Sequence, residues 1–318
     1  MKVQIGTTQR TIELPLTGDW ELWRWMEVPL GNVVAGPQTL RLESMTENAP
    51  INIDALVLAP AGQVPPEVAR PLLFDGSKHI RIQLSPSVQP LEVDKLFAIG
   101  EASYSFLKEY LGEETTQRIT VNIIAPAEQG NEHVGHSSGY SMYLEAGRIL
   151  DTSHNWVHEM THCFQRSSGP WPTWLSEGEA WLTSYEAETA VFGSPTGAEC
   201  ISPAAFAARL PEYQAALLVD GHNLLQFWGT PELPSSKLPA AYGFTNYMLG
   251  QLRQRGGPEL MRRYRALLRQ DAKPNAGATA RTTAQSDAIV VDRLSRAAGE
   301  DLRPLFTQWG FQLAPNRI

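Results

Sequence analysis

The segment HNWVHEMTHCFQR, residues 154 to 166, places two histidines four positions apart with a glutamate directly after the first. On a helix, positions four apart share one face, so His158 and His162 can each present a ring nitrogen to a common point. Glu159 falls one position round from His158. That puts its carboxylate beside such an ion rather than on it, where it can take a proton from a bound water. A catalytic zinc also needs a third protein ligand and an open position for water. Fourteen residues separate His162 from Glu177, which stands in WPTWLSEGEAWLTSY at the start of a predicted helix, between Trp-Leu-Ser and Gly-Glu-Ala. Two imidazoles and one carboxylate suit a single Zn2+ per chain.

Other polar residues lie near enough in sequence to be weighed. His154 is four residues before His158 and can share its face, but Thr-Ser-His-Asn equally suits a helix start. Cys163 points off the metal face by helix geometry and is expected in the core. It and Cys200 either pair or remain two thiols, and spacing does not separate these. His133 and His136 fall in GNEHVGHSSGY, read as a Gly- and Ser-rich loop, with Tyr140 at its end.

The elements that must hold these side chains follow from periodicity. KHIRIQLSP reads as a strand, DKLFAIGEASYSFLKEYLG as an amphipathic helix, and RITVNIIAP and GYSMYLEAGRI as further strands. HNWVHEMTHCFQR is a helix immediately after them. From Pro172 onward the chain reads as mostly helical, through PTWLSEGEAWLTSYEAETA, AAYGFTNYMLGQLRQR, GPELMRRYRALLRQ and a last pair around SDAIVVDRLSRAAGEDLRPLFTQWGF. DAKPNAGATARTTAQSD between the last helices reads as a polar loop.

Residues 1 to 60 carry β-type alternation in TIELP, RWMEVPL, QTLRLES and INIDALVL, and residues 61 to 71 form a linker rich in proline and small residues. The expected fold class is therefore α+β. A small β-sandwich-like segment precedes a two-lobed domain over residues 72 to 318, with a mixed-sheet lobe, a helical lobe and the histidine-bearing helix between them.

The carboxylate in W-L-x-E-G-x-A, one helix downstream of HExxH, resembles the pattern of the gluzincin zinc peptidases. Within that clan the chain is most similar to the peptidase MA-like plant basic secretory proteins, whose core reads close to HEMTHxxQ followed by EGIADY. Here His158 to Gln165 read HEMTHCFQ and Glu177 to Leu182 read EGEAWL. The helix AYGFTNYMLGQL, residues 241 to 252, is similar to that family's GYDVTAYFLDY helix, and AGEDLRPLFTQWGFQL resembles the tail of several clan peptidases, including enhancin-like mucin-directed ones. The resemblance spans about Leu91 to Leu313. It implies a zincin fold and a zinc metallopeptidase in which His158, His162 and Glu177 hold the ion and Glu159 acts as general base. Tyr242 would face the substrate carbonyl, with Tyr247 as the other candidate.

By the same resemblance, GYSMYLEAGR would be the strand edging the cleft, with His136 and Tyr140 in a substrate-binding loop beside it. No GxMEN segment of the clan's aminopeptidases occurs upstream of His158, which points to an endopeptidase. The chain departs from the plant family at Trp181, where that family has Asp. A carboxylate that orients a ligand histidine would then come from elsewhere, Glu186 or Glu179.

Residues 1 to 60 also resemble the closing strands of a jelly-roll carbohydrate-binding module, at about half the usual length. This raises two alternatives: a glycoprotein- or mucin-directed peptidase that recognises a glycan near the cut, and a catalytically inactive carbohydrate-binding or structural protein on a peptidase fold. The retained Glu159 argues against the second.

Bulk properties narrow the partners. With 42% hydrophobic residues and nine tryptophans the chain has enough apolar surface to fold. A net charge of -8 argues against a nucleic-acid partner, and leaves a polypeptide or glycoprotein as the expected substrate. No run reaches the roughly 20 apolar residues of a membrane span. The opening MKVQIGTTQRTIELP lacks the basic and apolar regions of a signal peptide, whereas the family resemblance implies a secreted or extracytoplasmic protein.

Overall fold

The computed structural model describes residues 2–12, 28–32, 36–43, 72–88, 91–125, 135–147, 154–166, 171–191, 201–271 and 283–315. The chain divides into two compact units, Met1–Pro71 and Leu72–Ile318. In the first, β1 (Lys2–Ile5), β2 (Thr8–Thr11) and β3 (Leu40–Glu43) form a three-stranded antiparallel sheet in the order β2-β1-β3. Val3 and Ile5 alternate inward along β1 and are buried. The linker, INIDALVL and most of TIELP and RWMEVPL lie outside the described residues.

The second unit is α+β, and its sheet lies first in sequence. β4 (Leu72–Phe74), β5 (Ile80–Leu84), β6 (Ile119–Ile124), β7 (Gly135–Ser138) and β8 (Ser141–Glu145) form five strands in the order β4-β5-β6-β8-β7. β5, β6 and β8 run parallel, while β4 and β7 are antiparallel to their neighbours. The central strand β6 is buried almost throughout, and Ile80, Ile82 and Leu84 of β5 alternate into the core. GNEHVGHSSGY, expected as a loop, contains β7. β7 is one of the two edge strands of the sheet, the other being β4, and GYSMYLEAGR, expected to edge the cleft, forms the inner strand β8.

α1 (Val93–Leu111) connects β5 to β6 and packs on the sheet through Leu96, Gly100, Tyr104 and Leu107. It ends at Gly112, in the left-handed region at φ +69, whose N–H caps the Lys108 carbonyl at 3.0 Å. α2 (His154–Gln165) lies against β7, β8 and α1, with Trp156, Val157, Met160, Cys163 and Phe164 buried beneath it. Cys163 is thus in the core as expected, while Cys200 is outside the described residues.

The helical part follows. It comprises α3 (Thr173–Val191), α4 (Pro203–Ala208), α5 (Leu210–Leu217), a two-stranded ribbon of β9 (Leu218–Val219) and β10 (His222–Asn223), α6 (Leu238–Gly256), α7 (Leu260–Asp271), α8 (Thr283–Ala298) and α9 (Arg303–Gln308). α3 packs on both α2 and α6. The crossing with α6 is close because of Gly178: a Cβ there would fall 2.5 Å from Leu249 Cδ2. Among the described residues no helix is long and apolar enough to cross a membrane.

Candidate metal centre

α2 and α3 bring the motif residues together. A buried hydroxyl pair, Thr161 on α2 and Thr183 on α3, joins the two helices at 2.7 Å. The first turn of α3 is gripped from two sides: Thr245 of α6 donates to the Trp174 carbonyl at 2.5 Å, and the Trp174 indole donates to Asp287 of α8 at 3.0 Å. Asp287 is buried and accepts a second hydrogen bond from Gln226 at 2.6 Å. With both helices fixed, His158 Nε2 lies 3.3 Å from His162 Nε2 and 3.4 Å from Glu177 Oε2, and His162 Nε2 lies 3.7 Å from Glu177 Oε1. Ligands about 2 Å from a tetrahedral ion are separated by about 3.3 Å, so two imidazole nitrogens and one carboxylate this close together could hold a metal ion.

The hydrogen bonds also fix which nitrogen of His162 presents its lone pair to Glu177 in the neutral ring. The Gln165 amide nitrogen donates to Glu179 Oε2 at 2.9 Å and to the Ser176 carbonyl at 3.0 Å, both of which only accept. Its oxygen therefore faces His162 Nδ1 at 2.9 Å and also accepts from Ser176 Oγ at 2.5 Å. An amide oxygen cannot donate, so Nδ1 carries the proton. In the neutral ring the lone pair is then on Nε2, toward Glu177.

The electrostatics are those of a tightly coupled cluster. Burial pulls the His162 imidazolium down, but the hydrogen bond and charge of Glu177, with smaller contributions from Glu159 and Gln165, outweigh it and hold the pKa up at about 9. Burial works to raise Glu177, yet the two imidazoles win and hold its carboxyl far below the usual range. His154 is buried behind His158, at 6.2 Å between ring centroids. Burial first, and then the charge of His158, push it down to about 3. It does not belong to the cluster of ligand atoms.

These groups open onto a cleft of about 600 Å³. β7 supplies one wall through Gly135, His136 and Ser137, α2 and the residue after it another through Glu159 and Arg166, and Trp171 and Tyr242 lie on it too. Glu159 lies against the backbone of Gly135, where a Cβ would stand 3.0 Å from both Cγ and Oε1 of the carboxylate. Tyr242, on α6, is 40% exposed and rests edge-on against Trp228 at 4.8 Å. Burial, then the charges of Glu177 and Glu159, push its phenol well above the ordinary range, so it remains a hydrogen-bond donor.

Of the two tyrosines considered on α6, Tyr242 reaches the cleft, whereas Tyr247 packs beside Phe244 and Trp309. His136 lines the cleft and stacks on Tyr143 at 4.4 Å, from a strand rather than a loop. Tyr140 sits at the β7–β8 turn with its hydroxyl 2.7 Å from Thr116 and is not part of the cleft wall. Glu186 pairs with Arg253 at 2.6 Å, while Glu179 approaches His162 through Gln165. His133 lies outside the described residues. Arg166, Trp171 and Ser176 are site residues that sequence reasoning passed over.

No family model and no curated protein sequence matches the chain. Among solved structures it is similar to a functionally unknown conserved protein from Bacillus anthracis str. Ames, at 15% identity and a TM-score of 0.49, covering 77% of this chain and 49% of that one. It is also similar to yeast LTA4 hydrolase in complex with bestatin, at 12% identity and a TM-score of 0.49, covering 78% of this chain and 40% of that one. The chain thus spans half or less of the length of these two proteins.

Proposed function

We infer that the chain is a zinc-dependent peptidase, acting as an endopeptidase on an extended polypeptide. The observation that carries this reading is the convergence of His158 Nε2, His162 Nε2 and the Glu177 carboxylate, at 3.3, 3.4 and 3.7 Å, with Glu159 next to His158. The donor set fits the ion: three protein ligands, a His162 ring turned to offer Nε2, and a cleft open on one side. Zinc at such a site supplies Lewis-acid polarisation of a carbonyl and lowers the pKa of water toward neutrality.

The remaining steps belong to the chain's own side chains. Glu159, held against Gly135, receives a proton from the attacking water and returns it to the departing amine. Tyr242 donates its phenolic hydrogen to the carbonyl oxygen as negative charge builds there. A substrate adding as a further strand would lie along β7, an edge strand of the five-stranded sheet, with His136 and Ser137 lining the wall beside it.

The test is mass-spectrometric mapping of new termini after incubating the protein, and its Glu159→Gln variant, with unglycosylated and mucin-type glycosylated proteins. Zinc content is measured in both. Internal cuts by the parent, reduced on the order of 10²- to 10⁴-fold in the variant, are the expected result. Equal cutting by both, or zinc-loaded parent that cuts nothing, would overturn the reading.

A further inference from the structure

We propose that Arg265, on α7, is a positioning residue for the metal ligand His162, acting through Glu179 and Gln165. The inference rests on the metal centre described above and extends it to an element outside the HExxH and Glu177 segments. Glu179 is two positions beyond Glu177 on a different face of α3 and is wholly buried. Its counter-charge is Arg265, equally buried, which grips it with two prongs: Nε to Oε1 at 2.9 Å and Nη2 to Oε2 at 2.5 Å. The remaining nitrogen, Nη1, binds Glu113 and donates at 3.3 Å to the carbonyl of Phe164, the residue directly before Gln165. The guanidinium lies 4.9 Å from the centre of the Trp171 ring, and Glu113 is also paired with Arg269 at 2.5 Å.

A buried ion pair of this kind is often replaceable by apolar side chains with no loss of stability, so stability alone is a weak reason for it. Its use here is directional. The Gln165 amide has two orientations related by a half-turn. In the observed one its oxygen faces His162 Nδ1 and its nitrogen faces Glu179. The flipped amide would put NH2 against Nδ1, move the ring proton to Nε2 and aim an N–H at the ligand position. It would also set the amide oxygen against the Glu179 carboxylate, and that repulsion forbids it. The fork of Arg265 holds the carboxylate where it exerts this effect. The choice of ring nitrogen at His162 is therefore transmitted from a residue 103 positions downstream of it.

The test is a cycle on the zinc dissociation constant, measured by chelator competition. Glu179→Gln with Arg265→Met removes both charges together and leaves Glu113 paired with Arg269. An amide at position 179 tolerates either orientation of Gln165. The pair should weaken zinc binding about 10-fold, at the lower end of what loss of a ligand's hydrogen-bond partner costs. In a Gln165→Met background, itself weakened about 10- to 100-fold, the same pair should have no further effect. Adding Gln165→Glu to the pair supplies an oxygen that can only accept and should restore binding toward the parent value. Should the pair fail to fold, Arg265→Lys keeps the charge without the fork and should weaken binding several-fold.

Unchanged affinity in the folded pair, or an equal loss in both backgrounds, would overturn the proposal and leave the network a structural one. If the parent binds zinc and loses it on His162→Ala, the metal centre stands whatever the cycle shows. If the parent binds no zinc, both readings fall.

Discussion

Protein stripped of its metal by a chelator should lose stability as the pH rises from 6.5 to 9, and the loss should vanish in Glu177→Gln. The folded state holds His162 at about 9 against an ordinary value of 6.5. A group raised on folding contributes stability that is complete below its unfolded pKa and disappears as the pH passes its folded one. The interval of about 2.5 units corresponds to roughly 3 kcal/mol. For a unit of this size, 1 kcal/mol moves the melting temperature by about 2 to 4 °C, so the expected fall is about 6 to 12 °C. At the acid end the sign reverses: Glu177, held far below the usual carboxylate range, surrenders the same pair only in strong acid.

Differential scanning calorimetry of parent and Glu177→Gln across pH 6 to 9.5, with chelator present, isolates the effect, because other titrations are common to both. Identical melting curves against pH would refute the assignment of His162 and Glu177 as a charged pair. Zinc must displace the same proton, so its affinity should rise about tenfold per pH unit below 9 and level off above it.

Three further outcomes follow from the geometry. Tyr242→Phe removes the hydroxyl donor at the cleft and should lower kcat on the order of 10²-fold with KM nearly unchanged; a change confined to KM would point to a binding role instead. Gly135→Val introduces a side chain 3.0 Å from the Glu159 carboxylate and should reduce kcat about 10- to 100-fold while zinc affinity, read by chelator competition, is unaffected. Asp287→Ala leaves the buried Trp174 indole and Gln226 amide without their shared acceptor and should cost about 1 to 3 kcal/mol in chemical denaturation; a cost below about 0.5 kcal/mol would mean that water replaces the carboxylate.

The sequence exposes the metal motif because its chemistry and its periodicity coincide. His158 and His162 are one helical turn apart, and Trp156, Val157, Met160 and Phe164 mark the opposite, buried side of the same helix. Glu177 is legible for the same reason, at the head of a helix bounded by aromatic residues. β7 is not, since Gly-His-Ser-Ser contains no β-branched or large apolar residue, and its strand character comes from pairing with β8. Tyr242 and Tyr247 stand five positions apart on one helix, and only the packing of Tyr247 near Trp309 shows which of them faces the cleft.

The network around His162 is hidden for another reason: Gln165 and Glu179 are 14 positions apart, but Glu179 and Arg265 are 86 apart. No local pattern couples such residues. α4 and α5 did leave local signals, Ser202 as an N-cap for α4 and proline in the first turn of each. A general expectation of helix after Pro172 passed over them.

The grip on the first turn of α3 has a consequence for when the site comes into being. The three proposed ligands and the proposed general base are encoded between His158 and Glu177, and a ribosome would release that stretch before α6 and α8. Yet the Trp174 carbonyl is held by Thr245 and its indole by Asp287, 71 and 113 positions later. A chain under synthesis would therefore display the motif long before it owned the site, and on the proposed reading selective capture of an ion becomes one of the last events in folding.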